Sequence, residues 1–205
     1  LQRLAQQGER WIVPVTGHGE RNLAGQANFD LGDFGRELKN KGFHIQPLDL
    51  VTTPEIPDNT GLLVIASPRV AYLPSEAKQI VEYVQKGGNL LWLLDPDSKH
   101  GLEPLAAELG LKILPGTIVD ANAGALKIDD PAVAVVPRYP QHQATQGFEL
   151  VSLYPHAVAL EAEGDQWQAS PILNTLEQSW NETGPLTGNI RRDADKGEKA
   201  GPLHI

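Results

Sequence analysis

Four polar clusters in this 205-residue sequence each follow a short apolar run. His18 and Glu20 come after Trp11–Val15, Asp49 after Phe43–Leu48, Ser67-Pro68-Arg69 after Leu62–Ala66, and Asp95 with Asp97 after Leu90–Leu94. If the runs are parallel strands, these residues share the carboxyl edge of one sheet, where loops and helix starts converge and ligands bind. The candidate ligand-binding set is therefore His18, Glu20, Ser67, Arg69 and Asp95. An imidazole and two carboxylates, His18, Glu20 and Asp95, are a donor set for a divalent cation or a polar ligand. A cation there would activate water for hydrolysis. The competing reading is that Glu20 and Asp95 cap neighbouring helices while Gly17 and Gly19 only make the turn.

Other catalytic patterns fail on inspection. Position 22 is Asn22, which breaks the GxGxxG dinucleotide fingerprint, and there is no Walker phosphate loop. Ser67 follows an apolar run as a hydrolase nucleophile would, yet its context is Ala66-Ser67-Pro68, and Pro68 has no N–H for an oxyanion hole. His44, His100, His142, His156 and His204 show no paired metal-ligand spacing. Asn181-Glu182-Thr183 matches the glycosylation triplet by chance, and Trp180 beside it reads as a packing anchor. No cofactor and no resident metal are expected.

The chain contains no cysteine and no methionine, which excludes disulfides, thiol nucleophiles and cysteine-ligated metals. Since Leu1 is not an initiator, the chain reads as a piece of a longer protein. A net charge of −9 opposes a phosphate backbone, so nucleic acid is not expected as a partner. The longest apolar runs fall far short of the roughly 20 residues that span a bilayer.

The elements that must position these residues alternate through the first half. Phe29, Leu31, Phe34 and Leu38 predict a helical face ended by Gly42. Ala77, Ile80, Val81 and Val84 follow the i, i+3, i+4, i+7 rule behind Pro74, and the helix stops at Gly87-Gly88. A short helix with Leu102, Leu105, Ala106 and Leu109 closes at Gly110. The expected fold class is α/β, a mainly parallel sheet with helices on both faces, over residues 1–110. Residues 111–205 read as an irregular β-rich extension of the same domain, with strands at Leu111–Leu114, Ala132–Val136, Ala157–Leu160 and Pro171–Leu173. The charged stretch from Arg191 to Lys199 reads as a solvated loop.

Taken together the motifs resemble a known family. Val15-Thr-Gly-His-Gly-Glu20, Leu48-Asp49-Leu50, Leu63-Val-Ile-Ala-Ser-Pro68 and Tyr83-Val-Gln-Lys-Gly-Gly-Asn-Leu-Leu-Trp-Leu-Leu-Asp-Pro96 look like the auxiliary component of ABC transporters linked to gliding motility. Gly116-Thr-Ile-Val-Asp120, Tyr139-Pro-Gln-His142, Leu153-Tyr-Pro155 and Ser179-Trp-Asn-Glu182 continue the resemblance. Relatives commonly carry His-Pro-Ile-Thr where this sequence has His142-Gln143-Ala144-Thr145, so no role transfers to that loop.

The resemblance implies a flavodoxin-like fold similar to class I glutamine amidotransferases, whose cysteine nucleophile has no counterpart here. It further implies a non-enzymatic, periplasmic domain of an inner-membrane-anchored protein, truncated at both ends. The implied partners are ABC permease and ATPase subunits, with a small polar ligand such as a saccharide as the other possibility. A similar module in intraflagellar transport proteins acts in assembly, which points the same way by analogy. Two alternatives stand beside this: a metal-assisted hydrolase using His18, Glu20 and Asp95, and a purely structural interaction module.

Overall fold

The computed structural model describes residues 10–53, 55–96, 100–164 and 166–205; Asp97 lies outside the described residues. The chain forms two compact units, Leu1–Leu94 with Ser98–Leu105, and Asp95–Asp97 with Ala106–Ile205.

The first unit is built on four parallel strands, β1 (Trp11–Thr16), β2 (Leu48–Asp49), β3 (Thr60–Ala66) and β4 (Leu90–Leu93), in the order β2-β1-β3-β4. Val13 pairs with Leu63, and Leu63 with Leu90, so β3 has a neighbour on either side. That position explains its unbroken apolar sequence. Alternate residues of a strand face opposite sides, and here both faces are covered. Val64 and Ala66 join Ile12, Leu23, Leu31, Leu38, Ile45, Leu91 and Leu93 in one core. Leu63 and Ile65 are fully buried as well, each contributing roughly 2 kcal/mol of transfer free energy.

Helix α1 (Gly32–Asn40) docks through Gly35. A Cβ at Gly35 would stand 1.9 Å from the Leu23 carbonyl oxygen, and one at Gly32 would stand 2.0 Å from the Gly25 oxygen. The absent side chains let the helix lie against the Leu23–Gly25 loop. The expected apolar face is therefore half wrong: Leu31 and Leu38 reach the core, whereas Phe29 and Phe34 are exposed. Helix α2 (Pro74–Gln85) starts at its proline and buries Ala77, Ile80 and Val84, as the spacing predicts.

The predicted second strand, Phe43–Leu48, shrinks to Leu48–Asp49 plus a single bridge from Ile45 to Ile12. The Phe43 side chain is exposed, so that part of the segment has no burial to hold it in a ladder.

Helix α3 (Glu103–Glu108) crosses the division between the units. The second unit then pairs short strands antiparallel: β5 (Leu111–Ile113) with β9 (Leu160–Ala162), β6 (Thr117–Asp120) with β10 (Ser179–Glu182), and β7 (Val133–Val136) with β8 (Ser152–Pro155). Leu114, Ile118, Ala134, Ala157, Ala159 and Leu203 form its core. Asp120, at the buried end of β6, accepts the Val135 N–H at 3.0 Å and the Asn122 N–H at 2.9 Å, tying β6 to β7.

Two expected strands differ. Ala157–Ala159 is buried and hydrogen-bonds to Leu114 and Ile118, but regular strand begins only at Leu160; Pro171–Leu173 is not strand. Asn181 is 1 % exposed, with its amide on the Pro115 carbonyl, so the glycosylation triplet is not available to a glycan.

Candidate functional site

The chain after β1 turns at Gly17 and Gly19, both in the left-handed region at φ +113° and +75°, which L side chains adopt only with strain. This turn carries His18 inward while its main chain pairs with the segment after β3. The His18 carbonyl accepts the N–H groups of Arg69 at 2.8 Å and Val70 at 3.0 Å, and the Arg21 N–H donates to Ala66. Because β1 and β3 sit side by side while the chain visits β2 in between, this is the point where strand order reverses, the usual ligand crevice of an open α/β sheet. Here it is stitched shut by main-chain hydrogen bonds.

Four side chains fill it. His18 Nε2 lies 3.0 Å from Glu76 Oε2, which also accepts the Leu73 N–H at 2.7 Å. The Tyr72 hydroxyl donates to Glu20 Oε1 at 2.5 Å, and the other oxygen of Glu20 accepts the His18 backbone N–H at 2.8 Å. His18 Nδ1 stands 3.5 Å from Glu20 Oε1, an ion-pair distance without hydrogen-bond geometry, and it has no other partner. The His18 and Tyr72 rings stack. His18, Tyr72 and Glu76 are all buried, and the Glu20 side chain is only 3 % exposed.

The Tyr72 phenol is pushed far above the usual range for tyrosine. Burial is the main cause, followed by the hydrogen bond to Glu20 and the negative charges of Glu20 and Glu76. Tyr72 is thus a fixed hydrogen-bond donor at physiological pH. The group is a polar plug bonded within itself at every side chain, with His18 Nδ1 and Glu76 Oε1 left without hydrogen-bond partners.

The strand-end residues divide accordingly. His18 and Glu20 come together as expected. Arg69 enters through its backbone, while its guanidinium lies 4.6 Å from the Phe29 ring centroid. Ser67 is buried at φ +50°, and its N–H donates to the Leu93 carbonyl. Asp49 caps its own turn, accepting the N–H groups of Val51 and Thr52 at 2.9 and 3.3 Å. Asp95 belongs to the second unit. The carboxylate that meets His18 is Glu76, and among the described residues no group of three or more acidic or histidine side chains is arranged to hold a metal ion.

Tyr72 and Glu76 are the residues sequence reasoning missed. A signal existed: in Leu73-Pro74-Ser75-Glu76, proline at the first helical position and glutamate at the third mark a helix start whose glutamate reaches back to the preceding N–H.

Beside the plug lies an open cleft of ≈200 Å³, lined by Pro14–Gly17, Gly19–Ala24, Lys39, Ile45 and Pro47. A shallower depression adjoins it, sharing Leu23, Ala24 and Lys39.

A parallel four-stranded sheet flanked by helices, with its reversal point closed by such a plug and an open cleft alongside, defines a mixed α/β domain. The chain belongs to the family described as ABC-type uncharacterized transport system, an ABC-transport auxiliary family, whose sequence profile matches residues 10–203. No curated protein matches the sequence. Among solved structures the chain is similar in fold to one titled mmIFT52 N-terminal domain, at a TM-score of 0.65 and 18 % identity, over 86 % of this chain and 81 % of that one.

Proposed function

We propose that this chain is a non-enzymatic, extracytoplasmic domain of a membrane-anchored auxiliary protein in a gliding-motility-type ABC transport system. It serves partner recognition, within a protein that assembles with the permease and ATPase subunits, or captures a small polar ligand such as a saccharide. The family supports the transport role. The observation that carries the non-catalytic reading is the plug: His18, the one imidazole at the reversal point, is held by Glu76, stacked on Tyr72 and fixed through its carbonyl. A general base needs a nitrogen within reach of substrate, and here the ring is buried on its own partners. The strand order 2-1-3-4 also begins the flavodoxin order, in keeping with an amidotransferase-like scaffold whose cysteine is absent from this sequence.

The test is affinity purification of the intact, membrane-anchored protein from cells expressing its permease and ATPase. A stable complex of all three is expected. Recovery of permease with ATPase, but without this protein, overturns the partner role.

A further inference from the structure

The side chains that line the cleft beside β1 have a consistent hydrogen-bonding sense. Its walls are largely apolar, from Pro14, Val15, Leu23, Ile45 and Pro47. The side-chain carboxylate and amide oxygens on its border each have a partner: both oxygens of Glu20 are bonded to Tyr72 and His18, and the Asn22 side-chain oxygen accepts the Ala24 N–H at 2.8 Å. The Thr16 hydroxyl donates to the Leu48 carbonyl at 3.3 Å, and an Arg21 guanidinium N–H donates to the Phe29 carbonyl at 3.0 Å. In the adjoining depression Asp33 and Arg36 pair with each other at 2.5 Å. Of the side-chain donors in this lining, the exposed Lys39 ammonium and Asn22 amide NH₂ remain. Lys39 stands where the two depressions meet.

We propose that this cleft binds a small monoanion with an apolar body, of the short branched-chain carboxylate class, through Lys39 and the Asn22 amide. The apolar walls take the body, the spare donors take the carboxylate, and a volume of ≈200 Å³ is in keeping with a small ligand. The proposal rests on the ligand-capture side of the function proposed above, and replaces a neutral saccharide with a charged, partly apolar ligand.

The probe is 4-methylpentanoate, titrated into the ¹⁵N-labelled 205-residue chain, with 4-methylpentanamide and glucose as neutral controls. Saturating amide shifts confined to residues 16–24 and 39 are expected for the carboxylate, with binding at least about tenfold weaker for the amide. K39Q is expected to weaken carboxylate binding about tenfold and K39R to restore most of it, both with unchanged melting temperature. An Ala24→Phe substitution, which places a ring at the cleft, is expected to abolish it. Absence of saturable shifts, shifts elsewhere, equal binding of amide and carboxylate, or an indifferent K39Q would each overturn the proposal. Co-purification of K39Q protein with permease and ATPase separates the two readings: an intact complex with no carboxylate binding by the wild type refutes the ligand and leaves the partner role standing.

Discussion

The imidazole of His18 lies almost flat on the phenol ring of Tyr72, with ring centroids 4.0 Å apart and planes 16° from parallel. The stack joins the turn after β1 to the segment entering α2. It also shields the phenol from water and sets its hydroxyl against Glu20. With its phenol pKa raised in the folded state, Tyr72 contributes stability that is complete below the unfolded value of about 10 and is lost as pH rises beyond it. In an ultraviolet titration, Tyr72 is expected to remain protonated until the protein unfolds in alkali. A phenolate signal from Tyr72 in folded protein at pH 10 would contradict this. Tyr72→Phe keeps the stack and loses the bond to Glu20, which should cost about 1–2 kcal/mol in urea unfolding.

Glu76 is 1 % exposed and holds both His18 and the start of α2. Truncating it leaves the buried His18 ring nitrogen and the Leu73 N–H without their partner. Glu76→Ala is expected to destabilise the fold by about 3 kcal/mol. Glu76→Gln keeps an acceptor oxygen and should lose less. Equal losses for the two variants, measured by chemical denaturation, would mean that shape rather than hydrogen bonding sets the cost.

Gly35 tests the contact between α1 and the cleft loop. In an exposed helix, glycine to alanine gains about 1 kcal/mol. At this site the new methyl would meet the Leu23 carbonyl oxygen, so Gly35→Ala is expected to lower the melting temperature and shift the amide resonances of Leu23 and Ala24. A rise in melting temperature would show that the helix is not seated as described.

How much of this was legible in the sequence depended on the range of the interactions. Leu62–Ala66 reads as a buried strand because its neighbours on both faces demand apolar residues throughout, and α2 reads as a helix because its stripe is complete within one segment. Phe29 and Phe34 misled because aromatic residues at helical spacing say nothing of what α1 packs against; a glycine makes the contact instead. β6 and β10 pair across a long stretch of chain, Asp120 with Ser179, and no local pattern specifies that register. The site divides in the same way. His18 and Glu20 lie two residues apart at a strand end, whereas the hydroxyl that binds Glu20 comes from Tyr72, 52 residues on.

Glu198 gives the second unit an acid-sensitive lock. Its buried carboxylate accepts the Thr183 N–H at 3.0 Å, the Thr183 hydroxyl at 2.8 Å and the Asp193 N–H at 2.5 Å, closing the Thr183–Asp193 loop. Burial on its own would raise its pKa, but these donors outweigh burial and hold it below the usual 4.5. A depressed folded-state value means stability that is present above pH 4.5 and lost as pH falls through the folded value. Glu198→Gln is therefore expected to be less stable than wild type at pH 7 and to converge with it in acid. A difference between the two that stays constant from pH 7 to pH 3 would refute the lock.

The pairing of the His18 carbonyl with Arg69 and Val70 bears on how such a surface diversifies. Main-chain hydrogen bonds depend on side-chain identity only in excluding proline, which has no N–H, so the loop pairing itself asks of positions 69 and 70 no more than that. With the plug residues kept beneath it, the rim is free to vary in charge and bulk without altering the backbone path. Substitutions at the rim would then change the surface while the interior stayed fixed.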